Sequence, residues 1–163
     1  MLIELLTIAH VVGVTLGVGG AFFAEVFYLR AIRDGVIDPT ESDFLKITYK
    51  ILRVGIIFLI FTGFGFFILY RLNGNSDLLY SAKYWVKMTF LCIILLNALL
   101  LQAKRIPFWL GSTISFTSWF AALAVGAMTE IPGTYLSIML WYVLALIVTG
   151  GVLEVIRKNT TKI

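Results

Sequence analysis

The sequence predicts an all-α integral membrane protein: a five-transmembrane-helix bundle with its N-terminus outside and its C-terminus cytoplasmic. Three observations carry this. Hydrophobic residues make up 60% of the 163 residues and charged residues only 13%, more apolar side chain than a soluble domain of this size can hide. The apolar residues form five runs, near 3–29, 47–71, 80–103, 108–129 and 134–157, each long enough for the roughly 20 residues that cross a hydrocarbon core. The basic residues gather at alternate ends of those runs. Residues 1–163 therefore read as a single transmembrane helical domain in the cell membrane.

The first run reads as a span, not a cleaved leader. It is too long, carries Glu4 where a basic start belongs, and lacks a small-residue cleavage site. In lipid the backbone must satisfy its own hydrogen bonds, so each run is expected to be helical. Asp34-Gly35 and Asp38-Pro39 supply the turn chemistry of the first connection. Thr40 with Asp43 has the spacing of a capping box that opens an amphipathic lead-in to the second span. There Phe44, Leu45 and Ile47 can lie in the interface while Lys46 and Lys50 reach headgroups. Asn73-Gly74-Asn75 ends the second span, Pro107 follows Lys104-Arg105 before the fourth, and Pro132-Gly133 makes a tight fourth connection. In the fifth, Glu154 and Arg157 stand one turn apart, as an ion pair would.

Arg30, Arg33, Lys46, Lys50, Arg53, Lys104, Arg105, Arg157, Lys158 and Lys162 fall on one side of the bundle, and only Arg71, Lys83 and Lys87 on the other. An odd number of spans with this asymmetry sets the orientation given above. Trp85, Trp109, Tyr135 and Trp141 near span ends suit an aromatic belt. The net charge of +4 is thus topological and does not point to nucleic acid.

Few polar groups lie within the spans, and they draw attention because lipid makes them expensive. The chain's one histidine, His10, stands about 10 Å along the first helix at 1.5 Å per residue. Below it Gly13, Gly17, Ala21 and Ala24 form a shallow groove into which another helix or a flat cofactor could press. Lys87 enters the third span from the same side to a similar depth. The pair fits a haem ligand at His10 with Lys87 as second ligand or propionate anchor. It equally fits a histidine hydrogen-bonded across helices and a lysine that snorkels. Glu25 suits an ion pair with Arg53, or a proton carrier between the two leaflets. Asn97 is expected to bond to another helix, and the Ser112–Ser118 stretch to bond its own carbonyls one turn back. Gly55, Gly63, Gly65, Gly150 and Gly151 read as close-packing sites. One cysteine, Cys92, allows no internal disulfide, and a single histidine allows neither HExxH nor a bis-histidine haem within one chain.

Ala9-His10-Val11-Val12-Gly13, then Gly19-Gly20-Ala21-Phe22-Phe23 and Phe27-Tyr28-Leu29-Arg30, resemble the first helix of HemJ-type protoporphyrinogen oxidases and related CopD-like membrane domains. Ile51-Leu52-Arg53 with Thr62-Gly63 resembles their second helix, and Tyr84-Trp85-Val86-Lys87-Met88 their third-helix Trp-x-x-Lys pattern. The resemblance spans roughly the first two-thirds of the chain and departs at Tyr28-Leu29-Arg30, where a Pro-Arg ending is expected. It implies membrane-bound haem b, with His10 and Lys87 as the haem-associated pair and Arg53 as a functional basic residue. The function expected is a haem b-binding redox protein that oxidises a porphyrinogen, with Arg53 and Glu25 as candidate catalytic groups and His10, Lys87, Gly13 and Gly17 at the cofactor. The alternatives are a non-catalytic helical subunit or assembly factor of a larger complex, and a metal or small-solute transporter. The partners expected are the lipid bilayer and a second copy or a membrane complex.

Overall fold

A computed structural model describes residues 1–131 and 133–160. Pro132 and Lys162, used above for the fourth connection and the charge asymmetry, lie outside the described residues. The chain forms α1 (Leu2–Ala31), α2 (Pro39–Leu72), α3 (Ala82–Gln102), α4 (Phe108–Ala127) and α5 (Tyr135–Thr160), with a short 3-10 turn at Ser76–Tyr80. All five helices are long and apolar enough to cross a membrane, and the described residues contain no strand. The bundle has two ends. The His10 end holds the start of α1, and the basic end holds the end of α1, the start of α2 and the end of α5.

The start of α2 differs from expectation. Its N-cap is Asp38, whose side chain accepts from Glu41 N at 2.8 Å, while Glu41 Oε2 accepts from Asp38 N at 3.2 Å. Proline is favoured at the first helical position, where its missing N–H is not needed. Pro39 therefore moves the capping box two residues ahead of Thr40 and Asp43. The amphipathic lead-in is continuous with the span, so α2 is one helix of 34 residues. It ends at Leu72, and just beyond it Gly74, with a φ of +74°, makes the left-handed turn that brings Asn75 N to Tyr70 O at 2.9 Å.

α1 packs chiefly on α2, and α4 sits between α1, α3 and α5. The α1–α2 seam is tight because small residues meet. A Cβ on Gly55 would lie 2.9 Å from Gly13 O and 3.0 Å from Gly17 N, the close backbone approach that small residues allow between membrane helices. Gly63 and Gly151 are different, with nothing within 4 Å of an added Cβ, so they are not packing sites among the described residues. Trp119 of α4 is only 1% exposed and joins Ala21, Leu52, Ile56, Leu59 and Ile94 in one core. α4 can occupy the centre although it is rich in hydroxyls, because those hydroxyls are satisfied. Thr113, Thr117 and Ser118 donate to the carbonyls of Trp109, Thr113 and Ile114 one turn back. Ser118 also meets Tyr142 of α5 at 2.7 Å.

Candidate functional site

His10 is half-buried at the α1–α2 seam, its Nδ1 2.8 Å from Thr62 Oγ1 and its ring edge-on to Phe66. Thr62 in turn donates its hydroxyl to Phe58 O at 2.6 Å. A carbonyl can only accept, so the Thr62 proton is spent there and its oxygen must accept from His10. The proton of the neutral ring is therefore on Nδ1, and Nε2 carries the lone pair. Thr62 is 4% exposed and contributed by the facing helix, so the ring's orientation is tied to the α1–α2 packing.

The small-residue groove beside His10 is filled. A Cβ on Gly13 would come within 2.7 Å of Phe58 Cβ, and one on Gly17 within 2.0 Å of Trp119 Cζ3. Of the two occupants foreseen for it, the structure seats a helix, α2, together with the indole of α4. That leaves no slot over Gly13 and Gly17 for a flat cofactor. Lys87 is exposed on α3 and near enough for its charge to act on His10. However, α1 and α3 make no close backbone approach among the described residues.

The expected Glu25–Arg53 ion pair is not formed. Glu25, 3% exposed, pairs instead with Arg157 of α5, 5% exposed. Arg157 Nε and Nη2 donate to Glu25 Oε1 at 3.0 and 2.7 Å, Nη2 also donates to Ser112 Oγ at 2.8 Å, and Nη1 donates to Trp109 O at 3.2 Å. The guanidinium carbon stands 5.4 Å from the centre of the Tyr28 ring, in range for a cation–π contact. Glu25 Oε2 has no hydrogen-bond partner among the described residues. The pairing of Arg157 with Glu154 is also not formed: Glu154 meets Lys158 at 3.4 Å on the surface. The reason is azimuth. Arg157 lies on the face of α5 that meets α1 and α4, while Glu154 turns outward and Arg53 sits exposed on the far side of α2.

Arg53 lines a hollow of about 160 Å³ between α2, α3 and α4, together with Tyr49, Asn97 and Gln102. Asn97, 4% exposed, donates from Nδ2 to Gly111 O of α4 at 2.8 Å, the expected interhelical bond, and its Oδ1 has no partner among the described residues. Neither Glu25 nor Arg53 stands with His10. Glu25 is about 22 Å further along α1, at 1.5 Å per residue, and Arg53 lies more than two turns of α2 before Thr62. Hydropathy and spacing did not single out Thr62 or Tyr28 as polar partners, and they did not join Arg157 or Ser112 to Glu25.

Among the described residues no group of three or more His, Cys, Asp and Glu side chains comes together. Haem requires less: one imidazole held by its other nitrogen, the arrangement that orients metal-bound histidines. His10 fits that single-ligand role, and the groove at Gly13 and Gly17 does not fit the macrocycle. No family model, curated protein or solved structure matches the chain.

Proposed function

We propose that the chain is a haem b-binding, multi-pass protein of the cell membrane with a redox role, its N-terminus outside, and that His10 Nε2 is the axial ligand. The observation that supports this reading is the Phe58–Thr62–His10 relay, which sets the tautomer and aims the lone pair. Haem, when bound, supplies one-electron exchange. Thr62 holds the ring, Phe66 meets it edge to face, and Lys87 is the cation we assign to a propionate carboxylate. With one histidine per chain, any second imidazole comes from another copy or a partner subunit. A porphyrinogen is the substrate class to assay first.

The test is an absorption spectrum of protein expressed with haem supplied. A Soret band is expected. His10→Ala should abolish or shift it, Thr62→Val should shift it by releasing the ring, and Met139→Leu should leave it unchanged. A colourless protein overturns the reading. If that protein co-purifies with a larger membrane complex it is a helical subunit or assembly factor, and solute uptake in proteoliposomes would instead mark a transporter.

A further inference from the structure

α2 and α3 approach each other closely at only a few points, and two hollows lie along their seam. The one at the basic end, about 160 Å³, has Trp119 as its floor, Leu52, Ile56 and Ile94 as walls, and Arg53 and Gln102 at its rim. The other, about 320 Å³ and almost wholly apolar, lies nearer the His10 end between Ile60, Phe64 and Phe67 of α2 and Leu91 of α3. A hollow that carries a guanidinium and two amides at the basic end, with an apolar trough further along the same seam, suits a lipid: headgroup first, then acyl chain.

Two polar groups lining the hollow at the basic end specify the headgroup. Arg53 makes no ion pair with any carboxylate among the described residues. A basic group between transmembrane helices selects anionic headgroups, and a guanidinium does so with directed, charge-assisted hydrogen bonds. Asn97 adds a second requirement. Gly111 O can only accept, so the amide nitrogen must face it, and the buried Oδ1 is left as an acceptor that calls for a donor. An acyl ester or a bare phosphate diester offers none, whereas a hydroxyl does. Asn97 lies about 7 Å along α3 from its end at Gln102, the depth of a lipid's glycerol and headgroup region.

We propose that this seam binds an anionic lipid bearing a headgroup hydroxyl, of phosphatidylglycerol type, with its phosphate at Arg53 and its hydroxyl donating to Asn97 Oδ1. The inference rests on membrane insertion of the bundle and not on haem. The test is native mass spectrometry of the full chain, released from detergent after titration with three lipids of matched acyl chains. Phosphatidylglycerol should be retained about tenfold better than phosphatidylcholine, the scale of one charge-assisted contact. It should also be retained several-fold better than phosphatidylmethanol, which is anionic without a hydroxyl. Arg53→Gln should bring phosphatidylglycerol down to the phosphatidylcholine level. Lys104→Gln, at the same end of the bundle but outside the hollow, should change nothing. Asn97→Leu should erase the preference over phosphatidylmethanol alone. Equal retention of the three lipids by the unaltered chain overturns the proposal, as does an equal loss from Arg53→Gln and Lys104→Gln. Should Asn97→Leu fail to fold, equal retention of phosphatidylglycerol and phosphatidylmethanol by the unaltered chain overturns the hydroxyl contact. A chain that stays monodisperse without detergent overturns membrane insertion itself, a separate outcome.

Discussion

Arg157 offers two N–H groups to one oxygen of Glu25, and both residues are almost wholly enclosed. Bringing a carboxylate and a guanidinium out of water costs several kcal/mol for each ion, and their attraction recovers this only when the geometry is good and the remaining donors are satisfied. Ser112 Oγ and Trp109 O satisfy those donors, and the Tyr28 face adds to the enclosure. Removing one partner should therefore be worse than removing both. Glu25→Gln is expected to lower stability by about 3–5 kcal/mol by leaving a buried guanidinium uncompensated. The double variant Glu25→Leu with Arg157→Leu should recover much of that loss. Unfolding in mixed micelles followed by circular dichroism checks both, and a double variant no better than Glu25→Gln would contradict the account. Arg157→Lys should also lose stability, since a single ammonium cannot serve Glu25, Ser112 and the Trp109 carbonyl together. This pairing was only partly legible beforehand. Hydropathy gives the depth of a residue, and depth pointed to Arg53 for Glu25 and to Glu154 for Arg157. It does not say which way a side chain points around its helix. Asn97 was readable for a different reason: a lone amide in an apolar span has to find a partner on a neighbouring helix.

The elements themselves were largely legible, because lipid admits only helices and their lengths follow from its thickness. Each of the five helices overlaps its expected run, with ends that differ by a few residues except at the start of α2. There the spacing of Thr40 and Asp43 mimicked a capping box while Pro39 assigned the cap to Asp38. The two alternatives separate cleanly. Asp38→Ala should destabilise the protein by about 1 kcal/mol through loss of the cap, whereas Thr40→Ala should change it by no more than a few tenths. Both changes are exposed at the protein's surface, so core packing does not confuse the comparison of their unfolding midpoints. The hydroxyl stretch of α4 was readable as well, since serine and threonine buried in a helix have their own preceding carbonyls within reach. What it did not disclose is that α4 would be central. That follows from its small side chains at Gly111, Ser112, Thr113 and Ser118, which let α1, α3 and α5 approach.

At the scale of the whole molecule, which helices touch is the information the sequence pattern held least. His10 and Lys87 share a level, yet their helices do not pack, and the groove beside His10 is closed by Trp119 from a helix far along the chain. Orientation in the membrane is different, because it follows from charge and can be tested without any contact map. The connection between α1 and α2 adjoins Arg30, Arg33, Lys46 and Lys50, while the connection after α2 has Arg71 and, beyond the 3-10 turn, Lys83. The positive-inside rule predicts a cytoplasmic first connection and an external second one. Cys92 is the only cysteine, so a Cys92→Ser background is blank for thiol chemistry. Into it can be placed Asp34→Cys or Asn75→Cys, both at exposed loop positions. A membrane-impermeant maleimide applied to intact cells should label the Asn75→Cys protein, and the Asp34→Cys protein only after lysis. The reverse pattern would invert the bundle. His10 would then face the cytoplasmic leaflet, and the Arg53 hollow would meet the outer one. Labelling of both positions from outside would mean that α2 does not cross the membrane at all, despite its 34 residues of helix.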